Sequence, residues 1–179
     1  MAMRKLTLFL PMLCCLILMA ACSDPTTVPI IVPGVVIETY NPTDPLYGSD
    51  TDTRISLYDE AEFDKDNPLA QADDAGSYDK ICISQGLDSG TYYIKVEPSP
   101  GAIGNTGPYA IRVLVNPTQQ ELSSYVTLDT NASDSPYEPD DTVNIYGKPI
   151  NPVTITTTMP LSRYLPTDAD VDWMVLVLP

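Results

Sequence analysis

The sequence predicts an all-β protein, an antiparallel β-sandwich of jelly-roll type, and three observations carry that prediction. Short segments in which apolar and polar residues alternate recur from residue 35 to the C-terminus, and a period of two marks a strand with one buried face. The chain holds 18 Pro, 9 Gly and 11 Tyr, a composition suited to strands and turns rather than to helices. Beyond residue 21 no long stretch repeats its apolar residues at the spacing a helix with a buried stripe requires.

The elements follow in order. After Gly34, Val35 to Tyr40 is the first expected strand, and Asn41 to Asp52 is a turn-rich acidic loop. Thr53-Arg54-Ile55-Ser56-Leu57-Tyr58 alternates, with Ile55 and Leu57 facing one way. The polar segment Asp59 to Asp79 has its sharpest turn signal at Asp73-Asp74-Ala75-Gly76. A short strand at 80 to 84 follows, in which Cys82 falls on the face opposite Ile81 and Ile83 as a structural, unreactive thiol. Gly90 opens a strand with Tyr92, Ile94 and Val96 on one face, and Gly107 opens another with Tyr109, Ile111, Val113 and Val115 on one face. Residues 116 to 137 lose the pattern and read as a surface linker, with a short edge strand at Tyr125 to Leu128. Val153 to Thr158 and Trp173 to Leu178 supply the last two strands, with Trp173 packed between the sheets.

The N-terminus is of a different kind. Arg4 and Lys5 precede an apolar run from Leu6 to Ala20, followed by small residues directly before a cysteine. A basic start, a short apolar stretch and a small-residue boundary make a secretion signal. The run, broken early by Pro11, is shorter than the roughly 20 apolar residues a spanning helix needs. Met19-Ala20-Ala21-Cys22 resembles the bacterial lipobox, which departs here only in having methionine in place of the usual leucine. That resemblance implies cleavage before Cys22 and a diacylglycerol on its sulfur. The expected organisation is a lipoprotein signal over 1–21 and a proline-rich tether over 22–33 with lipidated Cys22. The main part of the sandwich then covers 34–115, a linker 116–137, and C-terminal strands completing the sandwich 138–179. Residues 23 to 33 span at most ~36 Å when fully extended. Cys14 and Cys15 leave with the signal and Cys22 is used by lipid, so Cys82 has no partner for an internal disulfide.

Charge narrows the function. Nine lysines and arginines stand against 24 aspartates and glutamates, and two of the nine, Arg4 and Lys5, lie in the removable segment. Such a surface repels nucleic acid and anionic headgroups and favours cations, calcium above all. Histidine is absent, which removes the commonest general base, the triads that depend on it and the usual zinc ligand. Asp50, Asp52, Asp73 and Asp74 read as solvated loop charge rather than a catalytic carboxylate pair, since they lie in turns. Tyr40, Tyr47, Tyr58, Tyr78, Tyr92, Tyr93 and Tyr109 read mostly as core, although aromatics could also line a face for a polymer.

Two stretches together resemble the pre-peptidase C-terminal domain family, a small β-sandwich appended to secreted peptidases. The first runs through Asp52-Thr53-Arg54-Ile55-Ser56-Leu57-Tyr58-Asp59, the acidic turn Ala72-Asp73-Asp74, Gly90-Thr91-Tyr92-Tyr93-Ile94-Lys95-Val96 and Gly107-Pro108-Tyr109-Ala110-Ile111-Arg112-Val113. It is similar to the second half of the family pattern. Glu138-Pro139-Asp140-Asp141 and Asp170-Val171-Asp172-Trp173 are similar to the first half, so the halves occur in reversed order. A circular permutation explains this, with strand 173–178 pairing beside 35–40; a truncated tandem is the alternative. The truncated tandem would leave apolar residues 175–178 on an unpaired edge, whereas rejoining chain ends is usually tolerated. The resemblance implies a calcium ion held by Glu138, Asp140, Asp141, Asp170 and Asp172, with Asp168 able to join them and Tyr109 a weaker candidate.

The functional expectation is a non-catalytic cell-envelope lipoprotein with a calcium-stabilised β-sandwich acting as a binding or adaptor module for an extracellular protein or polysaccharide. Ser23, where a retention signal would place aspartate, points to the outer membrane. The alternatives are a structural envelope subunit without a soluble ligand, and a small hydrolase, which the missing histidine and the missing Gly-x-Ser-x-Gly elbow disfavour.

Overall fold

The computed structural model describes residues 29–44, 51–73, 79–101, 106–128, 142–167 and 169–179. The expected signal, Cys22, Glu138, Asp140 and Asp141 lie outside the described residues. Among the described residues nine strands and one short helix form: β1 (Val35–Tyr40), β2 (Thr53–Asp59), β3 (Ala70–Ala72), β4 (Lys80–Ile83), β5 (Gly90–Pro98), β6 (Gly107–Val115), α1 (Gln119–Ser123), β7 (Val153–Ile155), β8 (Leu161–Leu165) and β9 (Asp172–Leu178).

They make two sheets, β4-β1-β6-β8 and β3-β2-β5-β9-β7, in which every neighbouring pair is antiparallel except β7 with β9. The all-β antiparallel sandwich is therefore the observed architecture. The chain changes sheet at every connection between these strands except that between β2 and β3.

The alternation read from the sequence decides what fills the interior. Ile37, Ile111 and Val113 of the first sheet meet Ile55, Leu57, Ile94, Met174 and Leu176 of the second, all essentially inaccessible to solvent. Fully burying one such side chain contributes roughly 1.5–3 kcal/mol. Register places Ile37 opposite Val113, Ile55 opposite Val96 and Ile94 opposite Met174, so the apolar rows run continuously across each sheet. Cys82 falls on the outer face, exposed, as the alternation predicts.

Several expectations change. β9 pairs with β5 on one side and β7 on the other, not with the strand at 35–40, which lies between β4 and β6. The C-terminal strands nevertheless enter both sheets, β8 in the first and β7 with β9 in the second. Residues 125–128 form no strand, 153–158 is a strand only to Ile155, and β3 and β8 are additions the pattern did not suggest. Trp173 does not pack between the sheets. It shares the outer face of the second sheet with Tyr58, Tyr93 and Val175, covered by Phe63 from the β2–β3 loop. Met174 and Leu176, its neighbours in the alternation, face the core instead.

The sandwich has two distinct poles. At one, the chain enters β1 and leaves β9. Residues 30–34 run as a ribbon against 116–119, tied by Val32 N–H to Pro117 O (2.7 Å), Asn116 N–H to Gly34 O (2.7 Å) and Gln119 N–H to Ile30 O (3.0 Å). Ser89 Oγ donates to Pro179 O at 2.6 Å, and Val115 and Leu178 line one cleft there. The tether and the C-terminus thus share a pole, although the pairing expected to bring them together does not occur. The opposite pole carries the β1–β2, β3–β4, β5–β6 and β8–β9 connections.

Gly34 sits at the mouth of the tether with φ +126°, and a Cβ there would come within 2.3 Å of the Ile83 carbonyl oxygen. Gly34→Ala combines a left-sided backbone conformation with a backbone clash, so a loss of about 2 kcal/mol or more is expected in urea unfolding. An unchanged midpoint would show that the ribbon relaxes freely.

Candidate functional site

The loop pole is built around charges that the sandwich buries. Tyr109 on β6 and Arg163 on β8 belong to the first sheet, and Asp172 opens β9 in the second. All three are inaccessible or nearly so. The Asp172 carboxylate accepts from the Arg163 guanidinium on one oxygen and from the Tyr109 hydroxyl on the other, so one ion pair and one hydrogen bond cross the gap between the sheets. Isolated charges this deep would be prohibitively costly; pairing and hydrogen bonding make burial tolerable.

A second polar chain crosses the gap nearby. Thr53 Oγ1 on β2 donates to Asp79 Oδ2 at 2.5 Å. Its single proton being spent there, Thr53 Oγ1 accepts from Thr39 Oγ1 of β1 at 2.7 Å. Asp79 is buried at the start of β4, where its carbonyl also accepts from Thr39 N–H at 3.0 Å. Thr51 Oγ1 donates to Pro108 O at 3.0 Å. Ser99 ties two loops, its N–H donating to Asp52 O at 2.9 Å and its hydroxyl to Asp73 at 2.6 Å. The described residues of this pole are thus tied to one another across strands and loop ends.

Of the residues expected to hold calcium, the structure describes two. Asp170 is half-buried in a turn closed by its own N–H on Thr167 O at 3.2 Å. Asp172, two residues on, points inward and has its charge met by Arg163 rather than presented outward. Glu138, Asp140, Asp141 and Asp168 lie outside the described residues. Among the described residues no three His, Cys, Asp or Glu side chains stand close enough to hold a metal ion. Asp172 in this arrangement is engaged by Arg163 and Tyr109.

Two arginines were missed as organising residues. In Leu161-Ser162-Arg163-Tyr164-Leu165 the arginine shares a face with two leucines, and a guanidinium on an apolar face is a signal for a buried acid across the sandwich. The second is Arg112, cross-strand neighbour of Glu38, which has Lys80 opposite it on the other side. Glu38 is 1% exposed and pairs with both cations, Lys80 at 3.0 Å. The Arg112 guanidinium also donates to the carbonyls of Glu121, Leu122 and Ser124 at the end of α1 and lies 4.1 Å from the Tyr125 ring centre. The segment expected to be a linker is in its described part a strap across the first sheet's outer face, held by the Arg112 guanidinium, by the Tyr40 hydroxyl donating to Val126 O at 3.1 Å and by Leu128 N–H donating to Pro42 O at 2.8 Å. Burial under that strap pushes the Tyr40 phenol up to about 12, the nearby Arg112 only partly offsetting it.

The outer face of the second sheet is covered in a comparable way. Lys148, from the 142–150 segment, pairs with Glu60 at 3.1 Å and lies 5.3 Å from the Tyr93 ring centre. Its ammonium lowers the Glu60 carboxyl below the usual range, first through their hydrogen bond. A cavity of about 350 Å³ remains between Tyr58, Trp173, Lys65, Lys95 and Val143. Both its aromatic side chains are almost fully covered.

Comparison of the chain with known protein families, with curated proteins and with solved structures finds no match. No helix among the described residues is long and apolar enough to cross a membrane.

Proposed function

We propose that this chain is a non-catalytic lipoprotein of the cell envelope, held at the outer membrane by lipid on Cys22, whose sandwich presents its acidic loop pole to an extracellular protein or polysaccharide. The observation that carries the reading is the polarity of the sandwich. The chain leading to Cys22 joins at one end, and four connections gather at the other over the cross-linked Tyr109, Arg163 and Asp172. An anchored module whose far end is tied together across the sheets suits capture or display. The absence of histidine and of a nucleophile elbow supports a binding rather than a hydrolytic role. The likeness to the pre-peptidase C-terminal family belongs to the same proposal, since such a sandwich serves attachment.

Metabolic palmitate labelling tests the anchor: label on the wild type and none on Cys22→Ala is expected, and equal label in both would end the reading. Calcium is the second part of the proposal, drawn to Asp170 and the 138–141 acids. Calorimetry on the protein in EDTA and then with calcium is expected to raise the melting temperature, by roughly 2–4 °C for each kcal/mol of binding linkage. An unchanged curve with no binding heat would remove calcium and leave the anchored module standing. A pull-down from envelope extract set against a matrix and glycan array separates a binding module from a structural envelope subunit, the latter giving signal only in the pull-down.

A further inference from the structure

We infer that the tether pole is itself a membrane-docking face, seated on neutral, zwitterionic lipid headgroups. The inference rests on the anchored reading above and extends it from a point of attachment to a surface. Ile30, Ile31, Val115 and Val177 are 73%, 58%, 39% and 62% exposed. Single exposed apolar residues need no explanation. These four, however, stand at the end where the chain toward Cys22 departs. Between Val115 and Val177 opens a cleft of about 420 Å³, which Leu178 and Pro179 also line and which no charged side chain enters. In a chain of net charge −15, a cleft free of charged side chains beside exposed aliphatic residues stands out, set apart from the neighbouring cleft of Asp59, Glu60 and Asp88 at the same end.

Reach decides the occupant. The eight residues from Cys22 to Ile30 extend at most ~28 Å, and residues 30–34 cannot swing freely because they are hydrogen-bonded to 116–119. A bilayer holding Cys22 is thus never far from this pole. The two acyl chains of a diacylglycerol on Cys22 hold the protein at the bilayer, and an apolar contact at this pole adds buried area and fixes the orientation in which it sits. The acidic surface, with exposed Asp88 beside the pole, opposes anionic lipid and leaves zwitterionic headgroups as the compatible partner.

The test uses the full lipidated protein in phosphatidylcholine vesicles, with Cys82→Ser to remove the exposed thiol. An environment-sensitive fluorophore is placed at Val177→Cys or, as the opposite-pole control, at Tyr164→Cys. The expected result is a shift of emission to shorter wavelength at position 177, quenched by a nitroxide carried on the lipid, with neither effect at 164. Intact mass reports separately whether Cys22 carries its lipid. A lipid-bearing, vesicle-bound protein without the shift at 177 overturns the docking face and leaves the anchor intact. A shift that rises with protein concentration and is not quenched by the lipid nitroxide assigns the pole to a second copy of the chain and likewise overturns it. A protein that lacks the lipid mass and does not float with vesicles overturns both.

Discussion

Arg163→Met is expected to cost about 3–5 kcal/mol, the usual penalty for breaking a buried ion pair from one side, and to lower the melting temperature by roughly 10 °C. The reason lies in the asymmetry of buried charge. Asp172 is inaccessible and its carboxylate accepts from Arg163 and Tyr109 across the sheets. Removing the guanidinium keeps the carboxylate buried and takes away its ion-pair partner. Urea unfolding measures the loss. Adding Asp172→Leu and Tyr109→Phe to Arg163→Met removes the charge and the hydroxyl together, and most of the stability should return, since apolar replacement of a whole buried network is often neutral or favourable. A triple variant as unstable as the single one would show that the cost is one of shape rather than charge.

Arg112→Met is expected to act on two scales. Glu38 keeps Lys80 at 3.0 Å, so the global loss should be smaller than for Arg163, about 2–3 kcal/mol. The local effect is larger, because the same guanidinium holds the last carbonyls of α1 and the Tyr125 ring. A five-residue helix is far too short to persist unaided, and its capping box of Thr118 and Glu121 secures only the N-terminal end. Hydrogen exchange should therefore show the amides of 119–128 losing protection while those of β5 and β9 keep theirs. Arg112→Lys should restore the charge but not the latch, since an ammonium lacks the planar fork that reaches several carbonyls at once. Equal protection in wild type and Arg112→Met would mean that the strap is held without the guanidinium, by packing and by its other hydrogen bonds, such as Leu128 N–H to Pro42 O.

Much of the sandwich was legible because period-two alternation is a direct imprint of a buried face. Ile55 with Leu57, Tyr92 with Ile94 and Val96, and Tyr109 with Ile111 and Val113 all take the interior as read. β3 was invisible because three residues, Ala70–Ala72, carry no period. β8 was hidden by the arginine on its apolar face. Trp173 was misplaced because the sequence does not say that the β2–β3 loop folds back to bury an outer face; once Phe63 covers it, large aromatics sit outside the sandwich and still avoid water. The pairing of the last strand was beyond pattern, since alternation fixes which face a strand turns inward and not which neighbour it chooses. The Glu38, Lys80 and Arg112 row was unreadable for the same reason: opposite charges become neighbours only when register sets them side by side.

The position of β9 has a consequence for how the chain comes to be folded at all. This strand lies between β5 and β7, and β8 borders β6, so each sheet lacks a member until the C-terminal residues are available. Contacts so distant in sequence form slowly, after the loop-closure cost has been met. If the chain is exported as proposed, it must remain unfolded while it is threaded through a translocon. Neither sheet is completed on a chain that lacks its C-terminal strands, so the finished sandwich waits for the last strand to arrive.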